Sequence, residues 1–102
     1  PFAIEYTYVP KKYFNDIESF DFSKVSLYDY MEANNHLPVH FIQNLIICSA
    51  NEKIADLLNV KKGSAVFKIE YQASDKDYNL VEYTKSYLNP EFAEFRFIAE
   101  AE

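Results

Sequence analysis

Two glutamates stand in similar local sequences near opposite ends of the chain, and they are the first candidates for chemistry. Glu5 lies in Ile4-Glu5-Tyr6-Thr7 and Glu82 lies in Val81-Glu82-Tyr83-Thr84, and each segment is followed by a proline and then an aromatic residue. Two carboxylates at equivalent places in a sheet can act as a general acid and a general base. Glutamates on strands more often face water, so solvent exposure is the simpler expectation for both.

A second candidate is Ser26-Leu27-Tyr28-Asp29, which has the form of a helix N-terminus. The Ser26 side chain can accept a hydrogen bond from the first turn, and Asp29 favours the positive end of the helix dipole. The simplest interpretation of Ser26 and Tyr28 is therefore a cap and a packing residue. Backbone N–H groups at the start of a helix can also hold an anion.

Other kinds of site are disfavoured by residue type and spacing. A chain with one glycine cannot build a phosphate-binding loop. His36 and His40 are separated by Pro38, so they cannot share a helix face as paired metal ligands do. Cys48 and His40 lie about 26 Å apart on one predicted strand, which is too far for a nucleophile and its base. We therefore expect no enzymatic activity, no metal site and no cofactor.

The elements that must position these residues include strands with a period of two. Phe2–Val9 alternates throughout, and Ala65–Leu88 contains two alternating strands that flank the turn sequence Ser74–Asn79. Val39–Cys48 is apolar on both faces, which indicates a central strand that is covered on both sides. Glu94–Glu100 alternates again and predicts a last strand.

Two short helices are predicted between these strands. The first begins at Ser26 and runs to about Asn34. The second begins at the capping box Ser49-Ala50-Asn51-Glu52 and runs to about Asn59. Its buried stripe is predicted to be Ile54, Leu57 and Leu58. The element order β, α, β, α, β, β, β predicts an α+β fold, an antiparallel β-sheet with helices packed on one side.

Composition places the chain among ordinary globular domains. It has 102 residues, a net charge of −6, nine phenylalanines, nine tyrosines and one cysteine. This length suits a single domain with a modest core, and the negative charge argues against direct binding to a nucleic-acid backbone. The lone Cys48 indicates a reducing, cytoplasmic setting, and the longest apolar run is too short to span a membrane.

The succession of motifs resembles a known family. It comprises the strand Ile-Glu-Tyr-x-Tyr-hydrophobic-Pro, the helix start Ser-Leu-Tyr-Asp, and the segments Ile47–Glu70 and Val81–Phe97 in that order. Nearly end to end, these motifs resemble the effector-binding UTRA domain of GntR-family, HutC-subfamily transcriptional regulators. The resemblance implies a chorismate-lyase-like α+β fold, a homodimer and no catalysis.

The resemblance also implies a function and a site. In such regulators a small effector binds this domain and alters operator binding by a separate winged helix-turn-helix domain, which lies outside this chain. Family pockets place polar contacts at the positions that match Glu5, Ser26, Tyr28 and Glu82. The hydroxyls at the helix start would hold an anionic group, such as that of a sugar phosphate. The glutamates would bind hydroxyl or amino groups of the effector.

The chain departs from the family pattern in two places. Members often end the Glu82 strand with an aromatic residue and Arg-Gly-Asp, whereas Leu88-Asn89-Pro90-Glu91 stands here. The first strands of the family, with arginines for anionic ligands, lie upstream of Pro1, so we expect one effector-binding domain over residues 1–102, truncated at its N-terminus. Two alternatives stay open, namely a chorismate-lyase-like enzyme and a ligand-independent dimerisation module.

Overall fold

A computed structural model of the chain describes residues 2–22 and 26–101. Its strands are β1 (Ala3–Tyr8), β2 (His40–Ser49), β3 (Ala65–Ser74) and β4 (Leu80–Leu88). They form one antiparallel sheet in the spatial order β1-β4-β3-β2. Its α-helices are α1 (Leu27–Ala33) and α2 (Glu52–Leu58). The predicted α+β class is therefore confirmed, and so is the hairpin that β3 and β4 form.

Helix α1 begins where the sequence predicts. The Ser26 hydroxyl oxygen accepts a hydrogen bond from the backbone N–H of Asp29 at 3.4 Å, which satisfies one free donor of the first turn. Asn35 follows the helix with a φ of 64°, and the N–H of His36 donates to the carbonyl of Met31 at 2.9 Å. Asparagine tolerates this left-handed conformation, so the helix ends at the predicted place.

Helix α2 begins with a different cap from the one predicted. Asn51 rather than Ser49 is the cap, because its Oδ1 accepts a hydrogen bond from the N–H of Ile54 at 2.9 Å. Ser49 is instead the last residue of β2 and is committed to the sheet. Asn59 ends the helix with a φ of 59°. In the described ranges, no helix has the length and apolar character needed to cross a bilayer.

The two helices pack against opposite faces of the sheet. Helix α1 shares a core with Tyr71 and Ala73 of β3, whereas α2 shares a core with Val66 of the same strand. Side chains alternate along a strand, so residues 71 and 73 lie on one face and residue 66 on the other. The expectation that the helices pack on one side of the sheet does not hold, because β3 has buried residues on both of its faces. We call the face that packs against α1 the α1 face, and the face that packs against α2 the α2 face.

Each face has its own core. The buried residues of the α1 face are Phe14, Tyr30, Met31, Ala73 and Val81. Those of the α2 face are Ala50, Ile54, Ala55, Leu58 and Val66. Leu57, which the sequence assigns to the buried stripe of α2, is 39% exposed, and Ala55 takes its place.

Strand β2 corrects the prediction of a central strand covered on both sides. Among the described residues it pairs only with β3 and lies at the edge of the sheet. Its exposed apolar side chains are Phe41, Ile42, Leu45, Ile46 and Ile47. Apolar residues on both faces of a strand lead to burial only where other elements cover them, and in the described residues most of β2 lacks such cover, although Cys48 packs against the core of the α2 face.

The chain after β4 also differs from the prediction. Pro90–Phe92 forms a 3-10 helix, and the predicted strand Glu94–Glu100 is wrong, since these residues have no regular structure. The Phe95 ring packs edge-on against Phe67 of β3, with ring centroids 5.0 Å apart. Phe67 belongs to the α1 face, so this segment packs across a face and does not hydrogen-bond along an edge, as a strand must.

Asp75 organises the turn between β3 and β4, as expected for a turn rich in Asp and Asn. Its Oδ1 accepts hydrogen bonds from the N–H groups of Asp77 and Asn79, both at 2.9 Å. Nδ1 of His36 lies 2.7 Å from its Oδ2. Burial alone would raise the pKa of Asp75, but the hydrogen bonds from His36, Asn79 and Asp77 together hold the pKa below its usual value. The His36–Asp75 pair therefore fastens the end of α1 to the hairpin.

Candidate ligand-binding site

The α1 face carries a row of hydroxyl groups across three strands. Thr7 of β1 is paired with Thr84 of β4, and Thr84 is paired with Tyr71 of β3. The hydroxyl oxygens of Thr7 and Thr84 are 3.0 Å apart. The Tyr71 hydroxyl lies 2.7 Å from the hydroxyl of Tyr28, which belongs to α1. Strand register and helix packing thus place four hydroxyl groups side by side.

Glu82 is the carboxylate of this row. It lies two residues before Thr84 on β4, faces the same side of the sheet and is 7% exposed. Its Oε2 accepts a hydrogen bond from the Thr84 hydroxyl at 2.7 Å, whereas its buried Oε1 has no hydrogen-bond partner among the described residues. A buried carboxylate oxygen without a donor costs free energy. A hydrogen-bond donor from a ligand would therefore recover this free energy by binding to Oε1.

We call Thr7, Tyr28, Tyr71, Glu82 and Thr84 the glutamate cluster. Burial raises the pKa of the Tyr28 hydroxyl, and hydrogen-bonding interactions with Tyr71 and with the carboxylate of Glu82 raise it further. Tyr28 is therefore protonated at neutral pH and remains a donor. In the part of the chain that the structure describes, no lysine or arginine forms an ion pair with Glu82. The cluster combines hydroxyl donors with one carboxylate acceptor and lacks a cation of its own.

A cavity of about 240 Å³ opens beside Glu82, at the end of β1 and the start of β4. The rest of its lining is mostly aromatic and aliphatic: Tyr8, Val9, Pro10, Leu80 and Tyr83. Ligand pockets are generally apolar with a few placed polar groups, and their volumes run from about 300 to 1,000 Å³. This cavity has the expected chemistry but lies below that range, so it suits one end of a metabolite.

Glu5 lies on the same sheet face but outside the glutamate cluster. It is exposed and paired with Ser86. The two similar segments run antiparallel and meet at the Thr7–Thr84 pair, so the two glutamates lie on opposite sides of it. Ser86 lies four residue steps along β4 from Glu82, which is about 13 Å at the usual strand rise. The two carboxylates are therefore not brought together as an acid–base pair.

The structure brings Tyr28 and Glu82 together and leaves the other two predicted residues exposed. Ser26 lies at the start of α1, where its side chain is occupied as the helix cap; residues 23–25, just before it, lie outside the described ranges. Sequence reasoning missed Tyr71, and it overlooked Thr7 and Thr84 although both belong to the repeated Glu-Tyr-Thr pattern. The equal spacing of Glu and Thr in that pattern was the signal that could have identified them.

A family model agrees with this fold and covers most of the chain. The UTRA domain model matches residues 1–93. No curated protein sequence matches this chain.

Solved structures are similar to the chain along almost its whole length. The C-terminal domain of Yurk from Bacillus subtilis has a TM-score of 0.84 at 21% identity, over 97% of this chain and 69% of that one. A GntR-family transcriptional regulator from Enterococcus faecalis has a TM-score of 0.79 at 23% identity, over 97% and 71%. The C-terminal domain of the histidine utilization repressor from Pseudomonas syringae pv. tomato has a TM-score of 0.80 at 15% identity, over 99% and 70%. At such identities the likeness shows the fold alone.

Proposed function

Because the chain belongs to the UTRA domain family, we propose that it is the effector-sensing domain of a GntR-family transcriptional regulator. A small molecule binds at the glutamate cluster and changes DNA binding by a winged helix-turn-helix domain outside this chain. The family match over residues 1–93 supports this class of function. The net charge of −6 supports the division of labour, because DNA affinity depends on a surplus of positive charge.

The observation that carries the proposal is the buried Oε1 of Glu82, which has no partner among the described residues. A hydroxyl or amino group of the effector that donates to Oε1 forms a hydrogen bond to a charged acceptor, worth about 1.5–3 kcal/mol. Thr84 holds the other carboxylate oxygen at 2.7 Å, so the orientation of Oε1 is set before the ligand arrives. A fixed acceptor reduces the ordering cost of binding.

We propose an anionic metabolite as the effector, with sugar phosphates as the first class to test. Such a molecule carries hydroxyl or amino donors for Glu82 at one end and a negative charge at the other. Glu82 repels that charge, so the anionic group is proposed to lie towards Ser26 at the exposed start of α1. Glu5, on the same sheet face, is proposed to contact a hydroxyl group beyond the cluster.

We further propose that the domain acts as a homodimer in the cytoplasm and has no catalytic activity. The lone cysteine, Cys48, supports a reducing compartment. The separation of Glu5 from Glu82 argues against acid–base chemistry, which requires both groups within reach of one substrate. A chorismate-lyase-like enzyme would therefore need another pair of reactive groups.

A thermal-shift screen of the full-length regulator tests the proposal. We expect at least one sugar phosphate or related anionic metabolite to raise the melting temperature. Glu82→Gln should weaken binding of that compound about tenfold or more, since it removes the charge from the acceptor. Glu32→Gln removes the same charge from an exposed position on α1 and should leave the affinity unchanged. A screen without any shift, or equal affinities of the two variants, would overturn the proposal.

A further inference from the structure

The α2 face carries a concentration of positive charge in an otherwise acidic chain. Three of its side chains are lysines: Lys53 on α2, Lys68 on β3 and Lys85 on β4. Lys85 is paired with Tyr6 across β1 and β4, and Lys68 is paired with Tyr87 across β3 and β4. The whole chain has a net charge of −6, so this cationic patch runs against the overall balance. The glutamate cluster, on the opposite face, makes no use of it.

Two of these ammonium groups converge on one aromatic ring. Nζ of Lys53 lies 5.5 Å from the centroid of the Tyr6 ring, and Nζ of Lys85 lies 5.8 Å from it. Nζ of Lys85 is also 5.7 Å from the centroid of the Tyr8 ring. The faces of aromatic rings attract ammonium groups without neutralising their charge. The tyrosines therefore hold both cations in place and leave them free to bind an anion.

The carboxylates of the described residues do not neutralise this pair. The two ion pairs found there involve neither Lys53 nor Lys85. Glu70 is paired with Lys85 across β3 and β4 and lies on the same face. Its Oε2 accepts a hydrogen bond from the Tyr83 hydroxyl at 2.7 Å, and it forms no ion pair with Lys85, although its negative charge remains nearby. Around Tyr6, the two ammonium groups outnumber this one carboxylate.

A cleft of about 190 Å³ lies among these side chains. Asn51 and Ile54 at the start of α2 line it together with the two lysines and Tyr6. Oδ1 of Asn51 is occupied by the helix cap, which leaves its amide N–H groups as donors. The volume is well below the 300 to 1,000 Å³ of ordinary metabolite pockets. It matches a single charged group and not a whole metabolite.

We propose that this lysine–tyrosine cleft binds the phosphate group of a small molecule, with Lys53 and Lys85 as the charged ligands. Lysines bind phosphate as point charges, and two that converge from a helix and a strand enclose it from two directions. The Tyr8 ring stacks on Tyr83, and its side chain is 51% exposed, so this aromatic pair is placed to contact a planar ring if the molecule carries one. Lys53 and Lys85 lie on the α2 face, on the other side of the sheet from Glu82, so the proposal does not rest on the function proposed for the glutamate cluster, although Tyr8 lines both cavities.

Equilibrium dialysis of radiolabelled inorganic phosphate against the full-length protein, at constant ionic strength, tests this site. We expect saturable binding that the double substitution Lys53→Gln, Lys85→Gln weakens at least tenfold. The control Lys61→Gln, Lys62→Gln removes the same charge from exposed residues just after α2 and should change the affinity less than twofold. Circular dichroism checks that both double variants are folded.

Two further measurements separate the sources of the signal. In a Glu82→Gln background the two lysine substitutions should still weaken phosphate binding at least tenfold, because Glu82 lies on the other face of the sheet. Phenyl phosphate should displace the label; displacement at lower concentration than unlabelled phosphate assigns a ring contact, and equal displacement assigns the phosphate group alone. Binding that does not saturate, or an equal loss in the two double variants, would overturn the proposal.

Discussion

The two faces of the sheet are built from the same strands but offer opposite chemistry. On the α1 face, β1 and β4 contribute the exposed Thr7 and the buried Glu82 and Thr84 to an acceptor site. On the α2 face, the intervening residues of the same strands, Tyr6 and Lys85, line an exposed cationic cleft. Strand alternation lets one pair of strands serve both purposes without mixing charges. Two sites of opposite charge can therefore occupy one small sheet.

The faces differ in how their helices cover them. Helix α1 packs near the end of β3, at Tyr71 and Ala73, and brings Tyr28 directly onto the glutamate cluster. Helix α2 packs near the start of β3, at Val66, and leaves much of its face open. The comparison shows that helix placement, and not only residue type, decides which polar group of these strands becomes buried.

The largest expected effect on stability comes from truncating one buried side chain in the core of either face. Met31→Ala and Leu58→Ala each delete a fully buried side chain, and each should lower the free energy of unfolding by about 2–5 kcal/mol. Only Met31→Ala is expected to weaken effector binding, because Met31 supports α1 over the glutamate cluster. Chemical denaturation and binding measured below the transition distinguish the two losses. If Leu58→Ala abolished effector binding as well, the faces would not be independent.

Alkaline pH should lower the free energy of unfolding by a smaller amount than the core substitutions, and the tyrosines of the two faces should contribute unequally. Burial and the hydrogen bond to Asp16 raise the pKa of Tyr30 to about 12, and burial chiefly raises the pKa of Tyr28. On the α2 face, the hydrogen bond to Glu70 raises the pKa of Tyr83 less strongly. A raised pKa in the folded state contributes stability that is complete below the unfolded value, about 10 for tyrosine, and is lost as pH rises towards the folded value.

We therefore expect the free energy of unfolding to fall as pH rises from about 10 to 12. Tyr30→Phe should make this fall shallower, and Tyr83→Phe should change it less. Denaturant titrations at a series of pH values give the slopes directly. Identical slopes in the parent protein and in Tyr30→Phe would show that the ionisation of Tyr30 is not linked to unfolding.

The smallest expected effect concerns the ends of the two helices. Asn35 and Asn59 both adopt left-handed conformations, with φ of 64° and 59°. Glycine adopts this conformation without the steric penalty of a side chain. Asn35→Gly and Asn59→Gly should each change stability by less than about 1 kcal/mol, since unfolded-state entropy offsets the relieved strain. A larger change at one helix, seen in thermal melts, would mean that this asparagine side chain has a further role.

Local patterns predicted most of the elements but not their surroundings. The Ala65–Leu88 hairpin, the Ser26 cap and the end of α1 depend on neighbours within a few residues, so the sequence reveals them. The position of β2 at an edge and the path of residues 94–100 depend on which other elements are present to pair with them. Alternating and apolar patterns predict that a segment forms a strand, but they do not predict which other strands it pairs with.

The candidate site also has features that the sequence predicts and features that only the structure reveals. The sequence singles out Glu82 through a repeated pattern and a family resemblance, but not its burial. Burial follows from contacts across long sequence separations, such as the Thr7–Thr84 hydroxyl pair and the Tyr28–Tyr71 pair. Those contacts depend on strand register and on the placement of α1, which a single sequence does not specify.

The bare edge of β2 has a consequence for the behaviour of the domain in solution. Its ten residues, HFIQNLIICS, include no aspartate, glutamate, lysine, arginine or proline, which are the residues that protect natural edge strands from pairing with other chains. Wherever this edge is uncovered, repulsion between whole molecules must therefore keep them apart. The net charge of −6 supplies that repulsion at neutral pH, and it vanishes near the isoelectric point of about 4.8. The acidic surface as a whole therefore prevents association through β2, a strand that carries no charged side chain of its own.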